Sequence, residues 1–492
     1  MNKAHESDWQ RWAAILLGCG MAFKLVVAWS FPLGVDEAYA IAVAREFSWS
    51  FFDHPPVSFW VPVASASLFG ESALAYRLPF LLSGLGTGAL LYLIGSHLGG
   101  ARAGFFSLLI FLAAPHMLLG SGAFVVPDGT LNLGGALVAY ALVRMAEQDR
   151  PPLSLWALGG VGLMLAMGSK YQAGLLPFAV LSFMILTKDR WRWALQPGFW
   201  LAVVMGLVGV APVLIWNLGN DWASFGFHGE RTASSLQLGN FAAMLGGQLV
   251  YLLPTTLVLA VIACAKGLTG PRNSRVLAHL ALWPIIVFNG IFLFSDASFP
   301  HWTMPGFLFA LPLVGVALAD GVGRMWRWSY FAFGALIWTL LVALVIHIPT
   351  GAFAPREGFA DWDRTEEVFD WSELAPALRL TAGYDGSQII LADSWIEAGQ
   401  LSSGIAMGQG EAPTVRVLGL PHHFGLMSDA KATGPALYLV PDRADLLNGA
   451  DALERARQID PEARDLGQIV LTRSNRAYAG VSVIGLTLSE KN

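Results

Sequence analysis

Charge is what this chain has least of. Of its 492 residues only 13% are Asp, Glu, Lys or Arg, against about 25% in a typical soluble protein. A soluble protein of this length needs a wetted surface, so the deficit excludes an ordinary soluble enzyme. Neither sign of charge dominates. A net charge of -5 gives no basic footprint, and nucleic acid is not an expected partner. Cysteine is nearly absent, and the two present, Cys19 and Cys264, both fall inside apolar runs. They read as small core residues, not as a disulfide or a metal pair. Internal repeats and low-complexity tracts are also lacking.

What the chain does have is hydrophobic residues, 55% of the total, with a mean hydropathy of +0.54. They come in runs of about 20, long enough to cross a hydrocarbon core of about 30 Å. Its 19 Trp and 30 Phe suit lipid–water boundaries. About eleven spans are expected: 12–31, 74–97, 103–121, 127–146, 153–169, 171–187, 198–217, 240–265, 277–295, 303–321 and 328–349. The first is longer than a signal-peptide core and is expected to be retained.

Basic residues set the expected orientation. Lys3, Arg11, Arg102, Arg144, Arg150, Lys188, Arg190, Arg192, Lys266, Arg272, Arg275, Arg324 and Arg327 fall on one side. The opposite connections carry only Arg45, Arg77, Lys170 and Arg231. Positive charge stays in the cytoplasm, so the N-terminus is expected there and the C-terminus outside. The expected architecture is a polytopic α-helical membrane protein with a membrane domain over 1–350 and a long outer loop at 32–73. Within that loop Asp36–Phe47 suggests a helix lying on the membrane surface. After Gly351 charged residues become frequent and apolar runs shrink to strand length. Ser387–Ala392, Thr414–Leu420, Ala436–Val440, Gln468–Thr472 and Val481–Leu488 read as strands, and Asp451–Gln458 as a helix. A small extracytoplasmic α/β domain is thus expected over 351–492.

A charge inside a span costs roughly 2.5–3.5 kcal/mol on insertion scales. Ionisable groups at membrane depth or at its rim are therefore informative. Asp36, Glu37, Asp53, His54, Asp128, Lys170, Asp221, His228, Glu230, Arg231 and His301 all fall on the expected outer side. Each has an ordinary explanation. Asp36 and Glu37 could be first-turn acids suited to a helix dipole, and Asp128 could be a cap. Lys170 and Lys24 could snorkel to the interface. Asp53–Pro56 could be a capped turn, His228, Glu230 and Arg231 could be solvated, and Asp221-Trp222 and His301-Trp302 could each be a turn plus interfacial anchor. Their shared side argues instead for one outward-facing site, with a carboxylate as general base and cations facing a phosphate.

A series of motifs carries a resemblance. Asp36-Glu37-Ala38-Tyr39 follows the first span, and Phe52-Asp53-His54-Pro55-Pro56 ends the first loop. Then come Phe69-Gly70-Glu71-Ser72, Arg77-Leu78-Pro79, Pro127-Asp128, Ser169-Lys170-Tyr171, Pro212–Asn217, Asp221–Phe225 and Gly246-Gly247-Gln248. In this order, over residues 20–320, the chain resembles the bacterial branch of the protein-mannosyltransferase-like superfamily, which has the GT-C glycosyltransferase fold. Its members include the aminoarabinose transferase of lipid A and lipopolysaccharide galacturonosyl and mannosyl transferases.

The resemblance implies a polyprenyl-phosphate sugar donor and an envelope acceptor, either a glycolipid such as lipid A or lipopolysaccharide, a glycan or a protein. It implies Asp36 as catalytic base, with Glu37 as its neighbour and Asp128 as a second acid lining the site. Lys170, Arg231, His54 and His301 would face the donor phosphate. Asp53 and His228 could hold a divalent metal ion such as Mg, Mn or Zn. Where a relative has Glu-Lys, this chain has Asp53-His54. Two other classes remain in competition. A flippase for lipid-linked saccharides would want broken spans in matching halves, and a non-catalytic scaffold would only display the outer domain.

Overall fold

The computed structural model describes residues 3–229, 235–321, 323–353, 364–442, 449–474 and 476–489. Its helices are, in order, α1 (Lys3–Ser30), α2 (Val35–Ala44), α3 (Val57–Phe69), α4 (Ala73–Ala113), α5 (Pro115–Gly120), α6 (Pro127–Met145), α7 (Leu153–Met167), α8 (Leu175–Leu186) and α9 (Pro197–Gly219). There follow α10 (Ala223–Gly229), α11 (Leu238–Leu252), α12 (Pro254–Thr269), α13 (Arg272–Phe292), α14 (Met304–Asp320), α15 (Arg324–Thr350), α16 (Leu374–Ala382), α17 (Trp395–Gln409) and α18 (Gly449–Ile459). Five strands complete it: β1 (Ile389–Ser394), β2 (Val415–Leu420), β3 (Gly434–Asp442), β4 (Arg464–Arg473) and β5 (Arg476–Leu488).

The chain divides into two compact units. The first comprises Met1–Val27, Trp49–Ser58 and Arg77–Leu340, and the second Ala28–Ser48, Phe59–Tyr76 and Leu341–Asn492. Part of the first loop therefore groups with the C-terminal residues.

The first unit is helical because its segments are too apolar for any other solution in lipid, where every backbone polar group must be satisfied within the segment. Glycines let these helices approach closely. A Cβ on Gly134 of α6 would stand 2.6 Å from the Gly162 carbonyl of α7, and one on Gly209 of α9 would stand 2.3 Å from the Met164 carbonyl. These contacts fix the C-terminal end of α7, from which Lys170 follows. Among the described residues six helices are long and apolar enough to cross a membrane, or seven if one bent pair counts as a span. The difference from the expected eleven has identifiable causes. The α4 segment holds two helices, broken where Gly100 takes a φ of 81°. The expected spans at 153–169 and 171–187 are helices of only 10–17 residues. The expected straight span 240–265 is instead bent by 99° between α11 and α12. Pro254 has no N–H to donate and disfavours helical backbone at the preceding Leu253, whose ψ is 139° and whose φ is 68°.

Two further expectations are corrected. Lys24 does not snorkel: it is 2% exposed, its Nζ donates to the Ser121 carbonyl at 3.2 Å and stands 5.1 Å from the Phe111 ring. Cys19 is not a core residue but an exposed one, whereas Cys264 is buried.

The second unit is built on a five-stranded sheet in the order β2-β1-β3-β5-β4. Within it β1 runs parallel to its neighbours β2 and β3, while the central β3 pairs antiparallel with β5, and β5 with β4. Every strand expected from the sequence is present within a few residues, as is α18. Helices α16 and α17 were not legible. Gly399, Gly404 and Gly408 weaken the helical signal of α17, and packing overrides it. The segment expected to lie on the membrane surface is α2, and it is not amphipathic: every residue from Glu37 to Ala44 is buried. The rest of the first loop is tied locally. Arg45 bonds Glu71 at 2.7 Å and the Tyr76 hydroxyl at 2.9 Å, and the Trp60 indole donates to the Ser48 carbonyl at 2.9 Å.

His423 gives this unit a pH dependence. Burial lowers its pKa to about 4 from the ordinary 6.5, so the folded state resists protonation that the unfolded chain accepts. Its contribution is fully present above pH 6.5 and is lost as pH falls toward 4, a penalty of about 3 kcal/mol at most. The unit should therefore melt progressively lower between pH 6.5 and 4. His423→Gln should flatten that slope in thermal melts. An unchanged slope would show that His423 is not the group responsible.

Candidate active site

In lipid, an ion pair survives only where the two charges find each other. Lys170 follows the C-terminus of α7 and Asp128 sits in the first turn of α6, where a carboxylate also suits the helix dipole. The close packing of α6 on α7 brings them together: Lys170 Nζ donates to Asp128 Oδ2 at 2.7 Å. Both residues are at least 95% buried. Lys170 therefore neither snorkels nor faces water.

The other carboxylate oxygen points to a residue the sequence reading missed. His116 Nε2 stands 3.9 Å from Asp128 Oδ1, and neither atom has a hydrogen-bond partner among the described residues. The His116 ring stacks on Tyr251, with centroids 5.1 Å apart, and faces His301 at 6.3 Å. His116 was hidden because Pro115-His116 lies inside the apolar run 103–121. Pro115 actually ends one helix and starts α5. A polar side chain next to a proline within a span was the available signal.

The turn holding Asp53 and His54 belongs to the same unit. The Phe51 N–H donates to the His54 carbonyl at 3.2 Å, and the Val57 N–H to the Gly168 carbonyl at 2.8 Å. The turn is thus pinned to the stretch leading into Lys170. Ser224 Oγ donates to the Phe51 carbonyl at 3.2 Å, and His228 Nε2 bonds the Asp53 carbonyl at 2.9 Å. Burial pushes the His54 imidazole well below the usual histidine range. Lys170, His228 and His301 push the same way and Asp128 opposes them. His54 is therefore neutral at pH 7. These influences also place His54, Lys170, Asp128, His228 and His301 in one electrostatic neighbourhood.

The metal expectation finds little support in this donor set. The His228 nitrogen reaches the backbone carbonyl of Asp53, and His54 Nε2 lies 4.0 Å from the Asp53 carboxylate. No group of three His, Cys, Asp or Glu suited to a metal occurs among the described residues. Arg231 and Glu230 lie outside the described residues. Asp36 and Glu37 belong to the second unit, in the first turn of α2. There the Glu37 carboxylate accepts the Gly34 N–H at 2.9 Å, which fixes the helix start, and Asp36 is exposed.

A helical unit with several apolar spans and a buried ion pair at the ends of α6 and α7 defines a polytopic membrane protein. Comparisons with known proteins agree. Residues 53–216 match the family model of dolichyl-phosphate-mannose-protein mannosyltransferases. The matched segment contains Asp53, His54, His116, Asp128 and Lys170. An undecaprenyl phosphate-alpha-4-amino-4-deoxy-L-arabinose arabinosyl transferase from Shewanella sediminis is 26% identical over 294 residues, 54% of this chain and 53% of the relative. The chain thus spans about half the length of the curated relative it matches. The crystal structure of ArnT from Cupriavidus metallidurans bound to undecaprenyl phosphate superposes with a TM-score of 0.63 at 17% identity, over 96% of this chain and 98% of that one. Its apo form gives 0.62 at 16% identity, over 97% and 98%. The fold is that of these transferases, and the resemblance read from the sequence is supported.

Removing one member of the buried pair strands the other. Lys170→Met and Asp128→Asn should each lower stability by about 3–5 kcal/mol. The double variant should lose clearly less than the sum in detergent melts. Additive losses would show that the two charges are not coupled.

Proposed function

We propose that the protein is a glycosyltransferase that moves a sugar from a polyprenyl-phosphate carrier to an envelope acceptor on the outer face of the bacterial inner membrane. The observation that carries this reading is the buried Lys170–Asp128 pair with three histidines around it. A buried lysine paired with an acid is suited to a phosphate that leaves with a lipid tail. The leaving group becomes more negative as the glycosidic bond breaks, so fixed positive charge favours the transition state over the ground state.

In this reading Lys170 faces the carrier phosphate, aided by His54, His301 and Arg231. His54, neutral beforehand, would gain a proton as the phosphate arrives. Asp128 orients the Lys170 amine through the 2.7 Å contact. Asp36, exposed in the first turn of α2, acts as the base. It takes the proton of the acceptor nucleophile as the acceptor oxygen or nitrogen bonds the anomeric carbon. The bond from that carbon to the phosphate oxygen breaks on the opposite face, inverting the centre and releasing polyprenyl phosphate. Glu37 secures the start of the same helix. Asp53 and His228 shape the turn around His54, and a divalent ion there remains a proposal of the resemblance alone.

The distribution of basic residues supports a cytoplasmic N-terminus and a periplasmic C-terminal domain, and a lipid-linked donor is the donor class available on that face. The acceptor class is the one the sequence resemblance implies: lipid A, lipopolysaccharide or another glycolipid, a glycan or a protein. The flippase reading draws only on the bent pair α11–α12, whereas alternating-access folds want such breaks matched in two halves.

Mass spectrometry of envelope glycolipids tests the proposal. Cells lacking the gene should lose one sugar unit from a glycolipid. The wild-type gene should restore it, and Asp36→Asn should not, at equal protein level in the membrane. Restoration by Asp36→Asn would remove the base from this account, and an unchanged glycolipid profile without the gene would remove the transferase.

A further inference from the structure

Helix α2 carries the proposed base and is short, ten residues. So short a helix does not hold itself in place in water, and the contacts that hold it come from the C-terminal sheet domain of the same unit. The nearest is a glycine. A Cβ on Gly399 of α17 would stand 2.8 Å from both the backbone N and the Cα of Tyr39. Any side chain there meets backbone, not a flexible tip, so α2 must move. Ser403, one turn further along α17, donates its hydroxyl to the Ala38 carbonyl at 2.8 Å. The small residues of α2, Ala38, Ala40 and Ala42, permit this approach as they do between helices elsewhere.

Tyr39 is the anchor. Its ring makes edge contacts with Trp395 at 5.0 Å and with Phe424 at 6.0 Å. Its hydroxyl accepts the His423 N–H at 3.3 Å. To present that N–H, His422 adopts a left-handed φ of 46°, a conformation that persists only where surroundings enforce it. Just beyond the C-terminal end of α2, the Glu46 carboxylate accepts both the N–H and the hydroxyl of Ser428. Asp36 lies three residues before Tyr39, less than one helical turn. Its position therefore follows that of Tyr39.

We infer that the C-terminal domain is a positioning device for the reaction: through Gly399 and Ser403 it sets where the carboxylate of Asp36 stands. The inference rests on the reading of Asp36 as the base. It assigns the domain a role in catalysis that does not depend on recognising the acceptor.

Membranes of the gene-deleted strain supply both donor and acceptor, so purified variants can be added to them and sugar gain followed by mass spectrometry. Rates are normalised to the fraction of molecules that bind undecaprenyl phosphate, which removes any unfolded protein from the comparison. Gly399→Ala should then lower the rate on the order of tenfold and Gly399→Val on the order of a hundredfold, as expected for displacing a catalytic group by about 1 Å. Gly399→Ala should also move the acidic limb of the pH–rate profile, which a mere loss of active molecules would leave in place. Ser403→Ala and Ser428→Ala, which add no bulk, should lower the normalised rate less, and more together than singly. The inference is overturned by a normalised rate at the wild-type level in Gly399→Val, or by an acidic limb unmoved in Gly399→Ala. Asp36→Asn separates the two ideas. If it transfers at the wild-type rate, the base assignment has failed. If it is inactive while the Gly399 variants behave as wild type, only the positioning role has failed.

Discussion

A lysine and an aspartate buried against each other in an apolar helical unit constrain everything around them. Neither Lys170 nor Asp128 could stay charged there alone, since an isolated charge in such surroundings costs several kcal/mol. At 2.7 Å each makes the other tolerable. The pair requires α6 and α7 to meet closely, which the glycines along their contact allow. It also requires the chain after α7 to leave the helix at Lys170, which the bond from Val57 to Gly168 helps to hold. A pair of this kind is weak evidence of added stability, because a well-packed apolar pair of similar volume would often do as well. Its presence fits the proposal that the lysine serves an anionic ligand.

The surrounding histidines fit the same explanation. His54 is kept neutral by burial and by the cations near it. Among the described residues, His116 and Asp128 leave facing atoms without partners, a gap in the hydrogen bonding that buried polar groups normally close. Such a site differs from a structural network, where partners are already matched. The second unit shows that contrast: Tyr438 and Arg455 both satisfy the Asp393 carboxylate, at 2.8 and 2.9 Å.

How much was legible in the sequence follows from the same physics. Asp128 and Lys170 stood out because a charge in an apolar run has no cheap explanation. The strands of the second unit were readable because alternation and β-branched residues mark them locally. His116 was lost because its neighbours are apolar enough to absorb it into a continuous span. The bend at Leu253–Pro254 was lost because a run of hydropathy carries no direction, although the proline marked the place. Helix α2 read as a surface helix from its acids, yet it is buried, since nothing local announces that α17 will cover it. Long-range packing is what a single sequence states least clearly, and Gly399 against Tyr39 is an instance.

The central claim is that Lys170 serves the phosphate of a lipid carrier. The most direct measurement is an experimental structure of the protein with undecaprenyl phosphate bound. The account predicts a phosphate oxygen within about 2.7–2.9 Å of Lys170 Nζ, with Asp128 still on the other side of the amine. A phosphate lodged elsewhere, with the Lys170–Asp128 pair closed and untouched, would contradict it.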